Sequence, residues 1–175
     1  MRYVALLRGI NVSGQKNIRM VDLRGFVAMP GLKNIATYIQ TGNVLFDTDE
    51  TNEELLTRKL EKQLEDMLGY KVNVILRSLK DLKSIIDNNP YEHIKNEEKP
   101  GLYVTFLSES PVFEVCGSMG IDSNDAEYAC IVKKEVYVVS PNYGKTCFSN
   151  TFIEKKLGVV ATTRNWNTVK KLVHL

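Results

Sequence analysis

One short run near the start of the chain constrains its fold more than any other stretch. Tyr3-Val4-Ala5-Leu6-Leu7 is continuously apolar, with no alternation. Such a run reads as a strand buried on both faces. Arg8 interrupts it, Gly9 follows, and Asn11, Ser13 and Gly14 supply turn chemistry. A guanidinium therefore stands at the carboxyl end of a core strand, beside a glycine that lets another group approach the backbone closely. Ligand sites are common at the carboxyl ends of strands in open α/β sheets. An arginine there can equally snorkel or pair with an acid at the sheet edge.

The rest of the first half follows in a recognisable order. Asn17 to Gly31 reads as a short helix, with Met20, Leu23, Phe26 and Val27 on one face. Two strands follow, Ile35 to Gln40 and Asn43 to Phe46, joined by a tight Thr41-Gly42 turn. Thr51 to Leu68 is the clearest helix. Thr51 and Glu54 match a capping box, Leu56, Leu60 and Leu64 form its stripe, and Gly69 stops it. Tyr70 to Leu76 is a strand ending at Arg77. Residues 1–77 thus read β-α-β-β-α-β, the ferredoxin-like order.

Ser78 to Asn88 reads as a connecting helix capped by Ser78, and residues 78–100 as connecting helix and loop. The β-α-β-β-α-β order then returns over residues 101–175. It comprises a strand Gly101 to Leu107, a short helix opening at Ser110-Pro111 and a hairpin of Glu127 to Val132 with Glu135 to Ser140. A helix Cys147 to Leu157, a strand Val159 to Thr162 and an extra helix Asn165 to Val173 complete it. The halves show no obvious residue identity, so the repetition lies in element order. The expected class is α+β: two ferredoxin-like βαββαβ plaits in tandem, with a connecting helix and an extra C-terminal helix.

Composition excludes several functions. A net charge of +2, from 23 basic and 21 acidic residues, is no nucleic-acid signature. No apolar run approaches a membrane span, and no signal-peptide pattern opens the chain. Cys116, Cys130 and Cys147 are odd in number and widely spaced. They argue for a reducing cytoplasm and against a disulfide frame or structural zinc. His93 and His174 have no metal-binding context, so neither metal nor cofactor is expected.

A second informative stretch is Ala161-Thr162-Thr163-Arg164-Asn165-Trp166-Asn167-Thr168. It joins a strand to a helix and crowds hydrogen-bonding groups around the positive helix end, the composition of an anion site. Trp166 offers a stacking face, or else belongs to the core. Gln40 and Asn43 flank Gly42 and could read an amide, a base edge or a sugar hydroxyl, though a plain hairpin explains them as well. Gly144-Lys145-Thr146 resembles only the end of a phosphate-binding loop, since Val139 stands where the first glycine belongs. Cys147, near Lys145, is better read as a buried inert thiol than as a nucleophile.

Y-V-A-L-L-R-G-I-N-V at 3–12, T-Y-I-Q-T-G-N-V at 37–44 and A-T-T-R-N-W-N-T at 161–168 resemble the bacterial domain-of-unknown-function family 1697. Ser13 and Thr41 depart from its usual Gly and Ser. The resemblance implies a duplicated α+β plait and no particular activity. It singles out Arg8, Gly9, Asn11, Gln40, Gly42, Asn43, Arg164, Asn165 and Trp166.

The sequence supports, first, a cytoplasmic bacterial protein binding a small anionic ligand or nucleotide at strand ends. Arg8 and Arg164 would form a cationic clamp, and Asn11, Gln40, Asn43, Asn165 and Trp166 would line the site. Single-stranded nucleic-acid binding ranks second, and an enzyme acting on a phosphorylated metabolite third. Unpaired sheet edges allow a homodimer.

Overall fold

The computed structural model describes residues 1–11, 17–94, 101–111 and 127–175. The helix expected after Ser110-Pro111, and Cys116 with it, lie outside the described residues. The described chain divides into two units, Met1–Leu82 with Leu175, and Lys83–His174.

The first unit holds β1 (Arg2–Leu7), α1 (Met20–Phe26), β2 (Leu32–Tyr38), β3 (Asn43–Thr48), α2 (Glu53–Leu68) and β4 (Val74–Ser78); α3 (Leu79–Asp87) follows. Its four strands lie in the order β2-β3-β1-β4, with each neighbouring pair antiparallel. This is the plait expected from the element order. β1 is buried on both faces. Tyr3, Ala5 and Leu7 enter one core with Leu23 of α1 and Leu56, Leu60 and Leu64 of α2, while Val4 and Leu6 on the alternate face are 0% exposed.

Local chemistry explains most element ends, with small corrections. The cap of α2 is Asn52, not Thr51: its Oδ1 accepts the Leu55 N–H at 3.0 Å. Gly69 closes the helix at φ 76°, a left-handed conformation that glycine adopts without strain. Ser78 and Asp81 cap α3 reciprocally. Ser78 N donates to Asp81 Oδ2 at 2.9 Å, and Asp81 N donates to Ser78 Oγ at 3.1 Å. The β2–β3 connection is longer than a two-residue turn, because Tyr38 and Asn43 are the closing partners and residues 39–42 form the loop.

The second unit holds β5 (Gly101–Leu107), β6 (Tyr128–Val132), β7 (Glu135–Ser140), a 3-10 turn (Tyr143–Lys145), α4 (Asn150–Leu157), β8 (Ala161–Asn165) and α5 (Trp166–Leu172). The sheet order β6-β7-β5-β8 repeats that of the first unit. α4 begins three positions later than the sequence suggests, because Ser149 is its cap and accepts the Phe152 N–H. One core joins Leu107, Ile131, Val136, Val138, Phe148 and Ile153. On the other face of this sheet, the Tyr137 hydroxyl donates to the Ile85 carbonyl at 2.7 Å and its ring meets Trp166 at 6.5 Å.

Cys130 on β6 is buried and disulfide-bonded, against the expectation of no disulfide, while Cys147 is not bonded. Among the described residues no helix is long and apolar enough to cross a membrane.

Candidate functional site

In the first unit the expected residues converge where β1 ends. Leu7 N donates to the Gly42 carbonyl at 2.8 Å and Arg8 N donates to the Asn73 carbonyl at 2.9 Å. The chain leaving β1 is thereby held between the β2–β3 loop and the approach to β4. Asn11 then turns back. Its Nδ2 donates to Gln40 O at 2.8 Å and Ile18 O at 3.0 Å, and its Oδ1 accepts the Ile18 N–H at 2.6 Å. Asn11 therefore fastens two loops together with its whole amide. Asn43 does comparable work inside the hairpin: it is 0% exposed and donates to Tyr38 O and Thr41 Oγ1, both at 2.9 Å.

Arg8 and Gln40 complete the polar set at this end of β1. Arg8 is half-buried and Gln40 is exposed. Gly42 makes the close approach possible. At φ 75°, a Cβ there would lie 2.7 Å from Ile10 Cδ1 and 2.9 Å from Leu7 Cβ. Among the described residues of the two loops, Gly9 (72°), Asn11 (53°), Ile39 (47°) and Gly42 (75°) have positive φ. Ile39 is the unusual one, since a β-branched side chain in the left-handed region is a steric outlier. Such conformations cost about 1–3 kcal/mol and persist where the surroundings over-determine them, often at binding sites. No composition signal marks Ile39.

In the second unit Asn165 caps a helix and Trp166 is buried, as the sequence allows, while Arg164 belongs to the strand. Arg164 lies within β8, one residue before the cap of α5, and its side chain turns into the sheet's buried face. It is 5% exposed, and its NH1 donates to Thr162 Oγ1 at 2.8 Å and Thr163 O at 2.9 Å. The reason is that the strand runs to Asn165, three residues beyond its expected end at Thr162, so alternation turns Thr162 and Arg164 inward together. Burial pushes the Arg164 guanidinium down to about 10, with Tyr143 acting in the opposite direction, so it stays charged at neutral pH. Asn165 is the cap of α5, its Oδ1 accepting the Asn167 N–H at 2.8 Å. Trp166 is 7% exposed.

A second polar cluster involves Glu127, which is 8% exposed. Its Oε1 accepts the Ser140 hydroxyl, and its Oε2 accepts both the Cys147 N–H and the thiol at 3.2 Å. Burial alone would raise this carboxyl. The hydrogen bonds from Ser140 and Cys147 outweigh it and hold Glu127 below the usual glutamate range. Desolvation pushes the Cys147 thiol up to about 11, the hydrogen bond to Glu127 and that carboxylate's charge adding to it. Cys147 is exposed as a residue, not buried as expected, yet its thiol is no activated nucleophile.

Two surface grooves of about 390 and 360 Å³ flank α2, lined by Arg58 and Lys62 with residues including Lys59, Asp66 and Lys71. Arg58, Lys59 and Lys62 pair with Glu54, Glu50 and Asp66, as on a solvated helix face. No group of three or more His, Cys, Asp or Glu suited to a metal occurs among the described residues.

The fold and the loop cluster define the class: a duplicated α+β plait with polar and cationic groups at the carboxyl end of its first strand. A family model described as "Protein of unknown function (DUF1697)" matches residues 1–137. The chain belongs to that family. A solved structure, that of the conserved bacterial protein SP0830 from Streptococcus pneumoniae, is similar with a TM-score of 0.73 at 23% identity, covering 99% of this chain and 97% of that one. That likeness concerns the fold. No curated protein sequence matches the chain.

Proposed function

We propose that the chain binds a small anionic ligand or nucleotide at the carboxyl end of β1, with Arg8 supplying charge and Gln40 polar readout. The observation that carries this reading is the Asn11–Gln40 contact of 2.8 Å, which fixes the loop after Arg8 against the tip of the β2–β3 hairpin. Asn11 and Asn43 act as positioning residues, since their amides are spent on backbone and loop partners. The left-handed Ile39 supports the reading, because it holds Gln40 in a fixed loop at a conformational cost. Arg164, Asn165 and Trp166 take supporting roles in their own unit. Arg164 stays inside β8 and Asn165 caps α5.

Single-stranded nucleic-acid binding ranks lower, because the ring platforms it needs on a sheet face are not offered by Tyr3, at 1% exposure, or Trp166, at 7%. A bacterial setting draws support from the origin of the similar structure. The cytoplasm expected from cysteine usage has the bonded Cys130 against it.

The test is a thermal-shift panel of nucleotides, sugar phosphates, oligonucleotides and simple anions on wild type, Arg8→Ala and Arg164→Ala. A ligand for the native state raises Tm by mass action. A shift with one anionic class that disappears in Arg8→Ala supports the reading. A shift kept in Arg8→Ala, or seen only with oligonucleotides and lost with salt, overturns it.

A further inference from the structure

Each sheet ends in two outer strands: β2 and β4 in the first unit, β6 and β8 in the second. β4 is buried at every position, and β6 and β8 are buried at most of theirs. β2 has no buried position at all. In an antiparallel ladder alternate residues turn both N–H and C=O away from their neighbour. Along β2 those groups face outward from the sheet with little side-chain cover.

Folded proteins normally blunt such an edge with charge, proline or a bulge. The first half of β2 does so. Lys33 is exposed, Asn34 sits at φ 51°, and the register breaks between Lys33 and Ala36. The second half does not. Ile35-Ala36-Thr37-Tyr38 has no charge, no proline and no glycine, and it runs into Ile39, which is 44% exposed. Among the described residues no further strand pairs with this β-prone segment, which leaves it an open template.

We propose that this edge pairs with a second copy of the chain, β2 against β2, antiparallel across a twofold axis. An antiparallel twofold pair must set residues of like orientation opposite one another, so the axis passes through Ala36 or Thr37. With the axis through Ala36, that residue stands against its own copy; with the axis through Thr37, Ala36 stands against the partner's Tyr38, and Lys33 lies beyond the register break in both cases. Neither register opposes like charges. The pairing is isologous and consumes the open half of β2 in both copies. No other described outer strand is open in the same way, so assembly closes at two rather than running on. So few paired residues bury much less than the roughly 1,200 Å² of a stable interface, which makes this a weak, concentration-dependent dimer.

The experiment is sedimentation equilibrium on the full chain from about 10 µM to about 1 mM, with hydrogen exchange at the same concentrations. The weight-average mass rises with concentration from 19.9 kDa toward twice that value. Exchange slows at alternate amides of residues 35–38. Ala36→Glu and Thr37→Glu set carboxylates close across the axis, and at least one of them weakens association by roughly tenfold or more. A wild-type mass that stays monomeric throughout overturns the proposal, as does self-association that leaves the amides of residues 35–38 unprotected. The exchange measurement needs no variant, so a misfolded glutamate variant would not rescue the idea.

Discussion

Arg77 and Arg164 occupy the same place in the two plaits. Arg77 on β4 stands opposite Val4 of β1, and Arg164 on β8 stands opposite Val104 of β5. Both are buried, and each donates from NH1 to the carbonyl just before it, Leu76 O at 2.7 Å and Thr163 O at 2.9 Å. Each is followed by the residue that caps the next helix, Ser78 or Asn165. The duplication therefore extends to side-chain chemistry.

Equivalent geometry predicts equivalent consequences. Lysine keeps the charge but loses the planar guanidinium whose NH1 donates to both Thr162 and Thr163. Arg164→Lys and Arg77→Lys should each lower stability by about 1–3 kcal/mol in denaturant titrations. If Arg164→Lys folds as stably as wild type, the buried hydrogen bonds are not what the residue is there for.

Ile39 bears strain with little packing in return, being left-handed and 44% exposed. Ile39→Gly should raise stability by about 1 kcal/mol, because glycine takes positive φ without the steric cost. Gly42→Ala should do the reverse by about 1–3 kcal/mol, since its Cβ would collide with Ile10 and Leu7. Thermal or urea unfolding of the pair separates the two signs.

The Glu127 carboxyl sits below its ordinary value in the folded state. Its contribution to stability is then fully present above the unfolded glutamate range near 4.5 and is lost as pH falls through the lower folded value. Glu127→Gln should flatten the acid limb of a stability–pH curve measured below about pH 5. An unchanged acid limb would mean that other carboxylates set it.

Cysteine chemistry offers an independent check. Cys147 should react slowly with alkylating reagents at neutral pH in the native state, because its thiol is pushed up to about 11. In denatured protein kept from reductant, a bonded Cys130 should escape alkylation while Cys147 is labelled, as read by peptide mass mapping. Alkylation of Cys130 in the absence of reductant would contradict the bond.

The plait was legible because its signals are local. The apolar run of β1, the stripe of α2 and the glycines at 69 and 158 fix element type without help from the rest of the chain. The residue-level duplication was harder to read, because it is sparse and unevenly spaced. Tyr3-Val4 and Tyr103-Val104 stand at equivalent places. Glu61 and Glu154 each reach from a helix to the first N–H of the following strand, Val74 at 2.9 Å and Ala161 at 3.1 Å. Only the register aligns these pairs. The site was half legible. Arg8, Asn11, Gln40 and Asn43 announce themselves as polar residues at strand ends, but which of them face solvent depends on contacts between segments distant in sequence. Arg164 was misplaced because a threonine-rich strand looks like a polar loop until its pairing with β5 is seen.

The most direct test of the ligand site is an amide NMR titration of the full chain with inorganic phosphate and with a nucleoside monophosphate. The account predicts shift changes concentrated at Arg8, Gly9, Asn11, Ile39, Gln40 and Gly42, weakened in Arg8→Ala. Changes centred on residues 162–168 instead, or none at millimolar ligand, would contradict it.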